Sequence, residues 1–337
     1  MKKSLVTLAL MSAFAAPAFA QSNVTVYGVV DAGFEHTRSA GVNTSGVASG
    51  GMSDSRIGFK GQEDLGNGVT AKFVVEQGFN VDDGSEAESG KSFSRQAWVG
   101  LSSKTAGEIR FGRQNSLIYD ATASVDPFAV GLAGNAAEFL GGGFYNYRVD
   151  NAVTYIAPSV GGFEGRVQYG FGEVPGSTSD NRVVGFSGAY TTGDLSVSVT
   201  HNQQKVNDLG LDAKKTDTLV GATYNFKVAK AHVAYGQTKL EEVGLGDGKL
   251  NNFLVGVSAP VGTGTVLASY MHSDVKDADD AKSSQFSIGY VHPMSKRTKL
   301  YASYAHLSND DNVNLGLRAA SLGESASKFN VGINHSF

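Results

Sequence analysis

The sequence predicts an all-β protein, a transmembrane barrel of sixteen antiparallel strands, and three observations lead to this fold class. Apolar and polar residues alternate with a period of two, no segment keeps a helical period, and short turns alternate with long polar connections. The composition agrees, since 43 of the 337 residues are glycine and 18% are charged, against about 25% charged residues in an average soluble domain. The chain has no cysteine, which excludes a disulfide framework and thiolate metal sites.

The N-terminus has the features of an export signal. A positively charged start at Lys2 is followed by a short apolar stretch and by a small-x-small triplet that ends at Ala20. We therefore expect residues 1–20 to be a signal peptide that is cleaved before Gln21, and residues 21–337 to form one barrel domain. The apolar stretch is shorter than the ~20 residues of a spanning helix, which argues against a membrane anchor.

The strand count follows from the connections. Leu195, Val197 and Val199 alternate with small polar residues, and the same pattern recurs up to the last residue of the chain. Seven short turns are predicted at 63–68, 102–107, 157–163, 191–194, 227–229, 261–264 and 294–297. Eight longer polar stretches lie near 37–54, 80–91, 115–146, 172–180, 204–216, 239–249, 274–283 and 308–327. Fifteen connections join sixteen strands, and about 20 residues per strand with its connection fits tilted strands of ~10 residues that cross a bilayer.

The two faces of these strands predict a closed barrel with a water-filled interior. An unpaired backbone group in hydrocarbon costs several kcal/mol, so a sheet can cross a bilayer only if it has no edge. An apolar outer face and a polar inner face are the reverse of a soluble sandwich, which is the alternative for an exported β-protein. Sixteen strands are also enough to leave an aqueous channel instead of a core filled by side chains.

Several motifs resemble one known family. They are VTVYGVVD at 24–31, SRIGFKG at 55–61, GEIRFGR at 107–113 and the ending GINHSF at 332–337. These segments are similar to strands of the general, trimeric porins of Gram-negative bacteria, in particular those of β-proteobacteria. The resemblance extends over the whole mature chain.

The resemblance implies a homotrimer in the outer membrane of a Gram-negative bacterium, surrounded by lipid and lipopolysaccharide, with one pore in each barrel. It implies that the terminal Phe337 is read by the machinery that assembles outer-membrane barrels. It also implies that the third long loop, 115–146, folds into the lumen and narrows it. The acidic residues of this loop are Asp120, Asp126 and Glu138. The chain lacks the Pro-acidic-Phe-Gly-Gly tip that is frequent in the family, so the carboxylate that reaches the lumen is left open.

Strand phase predicts a basic wall opposite this loop. If Ile57 and Phe59 face outward, Arg56 and Lys60 point into the lumen. In the same way, an outward Trp98 turns Arg95 inward. Arg148 points inward if Val149, Val153 and Tyr155 face outward. A lipid-facing arginine at the bilayer midplane would cost roughly 2–4 kcal/mol, which favours this orientation. The side chains expected on the basic wall are Arg56, Lys60, Arg95, Arg113 and Arg148, with Arg110 as a further candidate. Similar porins carry an arginine cluster at this place.

On the acidic side we expect Glu76, together with the three loop carboxylates. Opposed charges would create a transverse field in the narrowest part of the pore, where selectivity is decided. Three or more arginines against fewer carboxylates favour a weak preference for anions. The expected function is therefore passive diffusion of ions and small hydrophilic solutes, without a cofactor.

Other functional classes remain as alternatives. A solute-specific channel of the same architecture would show saturable flux or a row of aromatic residues along the lumen, and no such row is evident. An outer-membrane enzyme or adhesin would be a third class, but no Ser/His/Asp arrangement is identifiable, so no catalytic residue is expected. The seven histidines lack metal-ligand spacing, and the net charge of −4 does not suggest nucleic-acid binding.

Overall fold

The computed structural model describes residues 23–140, 147–208, 211–242, 246–276, 278–317 and 321–337. The expected signal peptide with its cleavage site lies outside these residues, as do the glycines 141–143 of the third loop. In the described part of the chain, neither helix is long and apolar enough to cross a membrane.

Seventeen strands form one antiparallel sheet in the described part of the chain. The first nine strands are β1 (Asn23–Ser39), β2 (Val42–Ser49), β3 (Arg56–Gly66), β4 (Val69–Gly78), β5 (Gln96–Ser103), β6 (Gly107–Asn115), β7 (Arg148–Ile156), β8 (Phe163–Gly170) and β9 (Val183–Thr192). The others are β10 (Leu195–Asp208), β11 (Leu211–Asn225), β12 (Lys230–Glu242), β13 (Gly246–Val261), β14 (Gly264–Lys276), β15 (Lys282–Pro293), β16 (Thr298–Asn309) and β17 (Ala326–Ser336). Consecutive strands pair with each other except β2 and β3, which both pair with β1, and β1 also pairs with β17, so the sheet closes on itself.

The seventeen strands make sixteen barrel positions, which confirms the predicted fold class. Both β2 and β3 pair with the same edge of β1, on the side opposite β17, so they are two halves of one interrupted barrel strand. The chain leaves the ladder between these halves, over residues 50–55. Each of the seven predicted short turns spans a junction between two consecutive strands, and some of them include the strand ends.

Several predicted long loops are shorter in the structure. The stretches 204–216 and 239–249 lie largely within strands, because β10 to β13 continue as long hairpins with ladder bonds almost to their tips. The stretch 37–54 contains β2. These stretches were predicted as loops because their residues are polar at alternating and at neighbouring positions. A strand that extends into water is polar on both faces, so the alternation that identifies a strand is absent from its sequence.

Asp31 holds the interrupted strand in place from the inner face of β1. Its side chain is buried and accepts hydrogen bonds from Tyr301 Oη (2.7 Å) and Asn334 Nδ2 (2.7 Å). The backbone N–H groups of Met52 and Ser53 donate to the same carboxylate at 3.2 and 3.1 Å. One carboxylate thus joins β1, β16, β17 and the 50–55 segment.

We expect Asp31→Ala to be strongly destabilising, since each buried donor left without a partner costs about 1–3 kcal/mol. The measurement is the free energy of unfolding in urea of the protein refolded into lipid vesicles. Asp82→Ala, which removes an exposed carboxylate from the 80–94 connection, should leave the value nearly unchanged. Equal stability of the two variants would contradict the role of Asp31.

The outward face of the barrel is apolar and the inward face is polar, as predicted. Tyr235 and Phe253, which lie directly opposite each other on β12 and β13, are 46% and 43% exposed. On the other face of the same strands, Thr238 and Asn252 are buried. An exposed aromatic surface is stable when it contacts lipid, so this polarity fits a barrel that spans a membrane.

The connection between β6 and β7 packs against distant strands. It contains helix α1 (Leu117–Val125), capped by the Ser116 side chain, which accepts the Tyr119 N–H at 3.2 Å, and a short helix α2 (Ala137–Leu140). The apolar side chains of both helices form a cluster with buried residues of β11 to β14 and β16, among them Leu219, Leu254 and Met271.

Inner-face glycines make room for this connection. At three of them a Cβ atom would collide with a side chain of the connection. A Cβ on Gly221 would meet Val125 Cγ1, one on Gly256 would lie 2.7 Å from Pro127 Cγ, and one on Gly289 would lie 2.9 Å from Phe128 Cε1. We call these three glycines the glycine groove. Because glycine lacks Cβ, backbone and connection approach more closely there than any other residue would allow.

Candidate functional site

Three arginines converge at the end of the barrel where the long connections lie. Arg56 begins β3, Arg95 immediately precedes β5, and Arg148 begins β7. The Nε of Arg148 donates to the backbone carbonyl of Arg95 at 2.8 Å, and its guanidinium lies 4.7 Å from the ring centroid of Tyr119 on α1. We call Arg56, Arg95 and Arg148 the arginine cluster.

Carboxylates are part of this cluster. Arg95 Nε lies 2.7 Å from Glu76 Oε1, and Arg95 NH1 lies 2.5 Å from Asp54 Oδ2. Arg56 Nε is 3.7 Å from Glu76 Oε2, which also accepts a hydrogen bond from Tyr27 Oη at 2.9 Å. Burial alone would lower the pKa of the Arg95 guanidinium, but the adjacent Asp54 and Glu76 carboxylates raise it above its ordinary value. The guanidinium therefore stays charged.

The position of Glu76 corrects the sequence prediction. Glu76 was expected on the acidic side, yet it lies on β4, 5% exposed, between arginines of the basic side. A carboxylate on the strand next to Arg56 satisfies two guanidiniums that would otherwise repel each other in a partly buried place. Three guanidiniums and the carboxylates of Glu76 and Asp54 leave one net positive charge in the cluster.

Two of the strand phases behind the prediction are wrong. Trp98 is 8% exposed and its Nε1 donates to Gln96 Oε1 at 3.0 Å, whereas Val99 is 58% exposed and faces outward. Arg95 still reaches Glu76 because it precedes the regular part of β5 and does not follow the alternation of that strand.

The second error arises from a β-bulge in β7. The register with β6 shifts at this point, and Asn151 adopts a positive φ of 50°. One extra residue reverses the alternation on either side of the bulge. Val149 therefore lies on the inner face, 4% exposed and packed with Ala152, while Tyr155 faces outward. The predicted outward positions of Ile57 and Phe59 on β3 agree with their exposure.

Of the other predicted basic residues, Lys60 lies apart from the cluster, whereas Arg113 adjoins it, since its Nε donates to the backbone carbonyl of Ser94 at 2.6 Å. Arg113 belongs to a separate ion-pair network: its NH2 lies 2.6 Å from Glu88 Oε2, its NH1 contacts Asp150, and Lys91 Nζ is 2.9 Å from the same aspartate. The Lys60 ammonium lies 5.0 Å from the ring centroid of Tyr27.

A third basic group also lies apart from the cluster. Arg110 pairs with Glu108 at 2.5 Å, and Lys72 lies 2.8 Å from the same carboxylate. These groups are on the inner face, nearer the short turns than the arginine cluster is.

Of the predicted loop carboxylates, Asp120 is partly exposed and bridges to the barrel wall. Its Oδ1 accepts a hydrogen bond from Asn115 Nδ2 at 2.8 Å, and its Oδ2 lies 3.2 Å from Arg166 NH1 on β8. Arg166 also pairs with Glu164 at 2.7 Å. Strand alternation in β8 could have revealed this arginine, which the sequence analysis missed.

Asp126 is buried, which does not fit the predicted place on the acidic side. It is 3% exposed and accepts the backbone N–H groups of Phe128 (3.0 Å), Val130 (2.9 Å) and Ala136 (3.0 Å). Burial raises its pKa from 3.8 to about 6, against the lowering effect of these three donors. The carboxylate therefore holds the turn after α1 together instead of lining open space.

This shift leads to a prediction about pH. A raised pKa in the folded state gives stability that is complete below pH 3.8 and is lost as the pH rises through about 6. We expect amide hydrogens of 116–140 to be better protected from exchange at pH 4 than at pH 7, after correction for intrinsic rates. In Asp126→Asn this difference should disappear, and equal protection of the wild-type protein at both pH values would contradict the prediction.

Glu138 and Phe337 are the last two residues predicted from the sequence. Glu138 lies in α2, but its side chain is outside the described residues. Phe337 follows β17, and its backbone exchanges hydrogen bonds with Gly28 of β1, with N···O distances of 3.1 and 3.2 Å. Its side chain is 44% exposed.

A cavity lies between part of the arginine cluster and the connection, beside the contact of Arg148 with Tyr119. This cavity of about 450 Å³ is lined by Arg95, Arg148 and Asp54 on one side and by Val130 and Asn135 of the connection on the other. Tyr119 and Tyr147 also line it, and neither was identified from the sequence. Among the described residues, no group of three or more acidic or histidine side chains is placed to hold a metal ion. This arrangement can attract and orient a hydrated ion without binding it covalently.

A closed antiparallel barrel with an apolar exterior and charged groups around an internal cavity defines a channel of the outer membrane. The family model described as "Gram-negative porin" matches residues 7–312. The chain belongs to this family, and the protein is an outer-membrane porin.

Individual porins are similar to this chain in sequence and in structure. The outer membrane porin protein 32 of Delftia acidovorans is 39% identical, with all of both chains covered. An outer membrane porin protein of Bordetella pertussis is 33% identical over 92% of this chain and 95% of its own. The solved structure of an anion-selective porin from Comamonas acidovorans superimposes with a TM-score of 0.85 at 37% identity, covering 94% of this chain and 100% of its own.

Proposed function

We propose that the protein is a general diffusion channel with a weak preference for anions, and that its narrowest part lies between the arginine cluster and the connection 116–140. The observation that carries this proposal is the net positive charge of the cluster beside the cavity that the connection faces. The described anion selectivity of the Comamonas porin supports the same direction.

Electrostatics explains why one net charge gives a weak preference. Two unit charges 4 Å apart interact by ~1 kcal/mol in bulk water and by ~4 kcal/mol at an effective dielectric constant near 20. The Debye length at physiological salt is ~8 Å, so only charges at the constriction act on a passing ion. Since Asp54 and Glu76 neutralise most of the cluster, cations are disfavoured but not excluded.

Single-channel recording in a planar bilayer under a salt gradient tests the proposal. We expect ohmic conductance and a zero-current potential with the sign of weak anion preference. Flux that saturates with one solute would instead indicate the solute-specific channel, and the absence of conductance would reject a channel.

We also propose a homotrimer with a cleaved signal peptide and a C-terminal assembly signal at Phe337. The resemblance of the strand motifs supports all three. Mass spectrometry of the mature protein should place its N-terminus at Gln21, and electrophoresis without heating should give a band of three subunits. Removal of Phe337 should lower the yield of assembled barrel in the outer membrane more strongly than the stability of barrel refolded in vitro.

A further inference from the structure

A second cavity lies on the inner wall of the barrel, on the short-turn side of the arginine cluster. It has a volume of about 330 Å³, and Thr25, Lys60, Val74 and Trp98 are among its lining residues. These four residues are direct cross-strand neighbours on β1, β3, β4 and β5. Val74 is two residues from Glu76, so this row lies roughly 7 Å nearer the short turns than Glu76 does. We call this cavity the tryptophan pocket.

One part of the tryptophan pocket is apolar, although the inner face of the barrel is polar. Val74 and Trp98 lie opposite each other in this part. The Trp98 indole is held by its hydrogen bond to Gln96 and by the Arg110 guanidinium, which lies 4.4 Å from the ring centroid. In the described part of the chain, the apolar side chains of the connection cluster with β11 to β17 and with Met52. Val74 and Trp98 are therefore an apolar surface that a solute in the lumen can reach.

The other part of the tryptophan pocket is positively charged. Lys60 and Lys72 both line it and are diagonal neighbours on β3 and β4, a placement in which Cβ atoms are about 7–8 Å apart. Lys72 and Arg110 share the carboxylate of Glu108. Lys60 lies over the Tyr27 ring, and among the described residues no carboxylate is within ion-pair distance of its ammonium group. An aromatic ring attracts a cation without neutralising it, so the charge of Lys60 is available to an anion.

We propose that the tryptophan pocket binds an aromatic carboxylate with a single ring. The carboxylate accepts charge-assisted hydrogen bonds from the ammonium groups of Lys60 and Lys72, and the ring lies against Val74 and Trp98. A volume of about 330 Å³ is at the lower end of the ~300–1,000 Å³ of small-molecule sites, which suits a ligand of this size. The inference names a class of solute for the channel and rests on the proposed function in one respect, since the ligand has to enter the lumen.

Trp98 is the only tryptophan in the chain, so its fluorescence reports on this pocket alone. The protein refolded in detergent is titrated with 4-nitrobenzoate, which quenches indole fluorescence, and with the uncharged 4-nitrobenzyl alcohol. After correction for absorption, we expect quenching by the carboxylate to saturate and quenching by the alcohol to rise linearly with its concentration. Benzoate should displace the quencher at a roughly tenfold lower concentration than acetate does, because only benzoate has a ring to bury.

The variant Lys60→Gln/Lys72→Gln is compared with a matched control, Lys227→Gln/Lys296→Gln. The control removes two exposed lysines from the short turns between β11 and β12 and between β15 and β16. The affinity for 4-nitrobenzoate should fall roughly tenfold in the first variant and stay at the wild-type value in the control. Lys60→Gln alone breaks no ion pair among the described residues, and it should still lower the affinity roughly threefold. Wild-type mobility in electrophoresis without heating shows that each variant is folded.

Wild-type affinity of both lysine variants of the pocket would overturn the proposal, as would saturable quenching by the alcohol at the same concentrations. Equal displacement by benzoate and by acetate would overturn it too, because the apolar part of the pocket would then play no role. The fluorescence test needs no ion flow and is therefore separate from the test of the proposed function. A cation-preferring channel with saturable quenching would refute only the ion preference, whereas an anion-preferring channel without such quenching would refute only this inference.

Discussion

The combined substitution Arg56→Ser/Arg95→Ser/Arg148→Ser is expected to convert the proposed weak anion preference into a clear cation preference. Without the three guanidiniums, Glu76 and Asp54 remain at the constriction and reverse the sign of its field. At ~1 kcal/mol per charge pair in water, and with about 1.4 kcal/mol per tenfold change, the anion-to-cation permeability ratio should fall by about tenfold or more. The zero-current potential in a salt gradient measures this ratio.

A matched variant separates the local field from the overall charge. Lys104→Ser/Lys296→Ser/Arg297→Ser removes the same three positive charges from exposed short turns. Because those charges are more than a Debye length from the constriction, the potential should stay at the wild-type value. Equal shifts in both variants would show that net charge, and not the arginine cluster, controls selectivity.

The second large effect is expected from filling the glycine groove. In Gly221→Val/Gly289→Val, new side chains would occupy the places of Val125 and Phe128 and push the connection away from the wall, toward Arg95. We expect a markedly lower single-channel conductance, together with a loss of stability of about 1–3 kcal/mol from overpacking.

Gly46→Val provides the control for this variant. Gly46 pairs with Glu35 on the inner face of β1 and β2, and a Cβ atom there would have no neighbour within 4 Å. A valine at this position adds one of the two new side chains in open space, so conductance should be close to that of the wild type. Unchanged conductance of the Gly221/Gly289 variant would mean that the connection does not limit the pore.

Much of the architecture could be predicted from the sequence, because membrane spanning imposes a simple code. A lipid-facing side and a water-facing side force strict alternation, and this placed the short turns and the outward side chains such as Ile57. The code fails where the backbone departs from it. Asn151 shifts β7 by one residue, and only the tolerance of asparagine for positive φ hints at this locally.

The pairing of charges could not be predicted in the same way. Glu76 and Arg95 are nineteen residues apart, and their contact depends on the register of β4 with β5. Asp126 and Asp120 are both acidic residues of one loop. Asp126 is buried and accepts backbone N–H groups of the turn that follows it, whereas Asp120 lies beside Arg166. The residue types therefore indicated acidic positions at Glu76 and Asp126 but not the partners that hold these two carboxylates.

Closure of the barrel between β1 and β17 has a consequence for biogenesis. Val29 pairs with Ser336, so the seam joins residues that are almost a full chain length apart. Every shorter fragment would expose two unpaired sheet edges to hydrocarbon, at a cost of several kcal/mol for each unsatisfied backbone group. The nascent polypeptide thus has no stable half-inserted form, and insertion is completed only when the last strand arrives. Truncated products should consequently remain available to periplasmic proteases instead of accumulating as leaky pores.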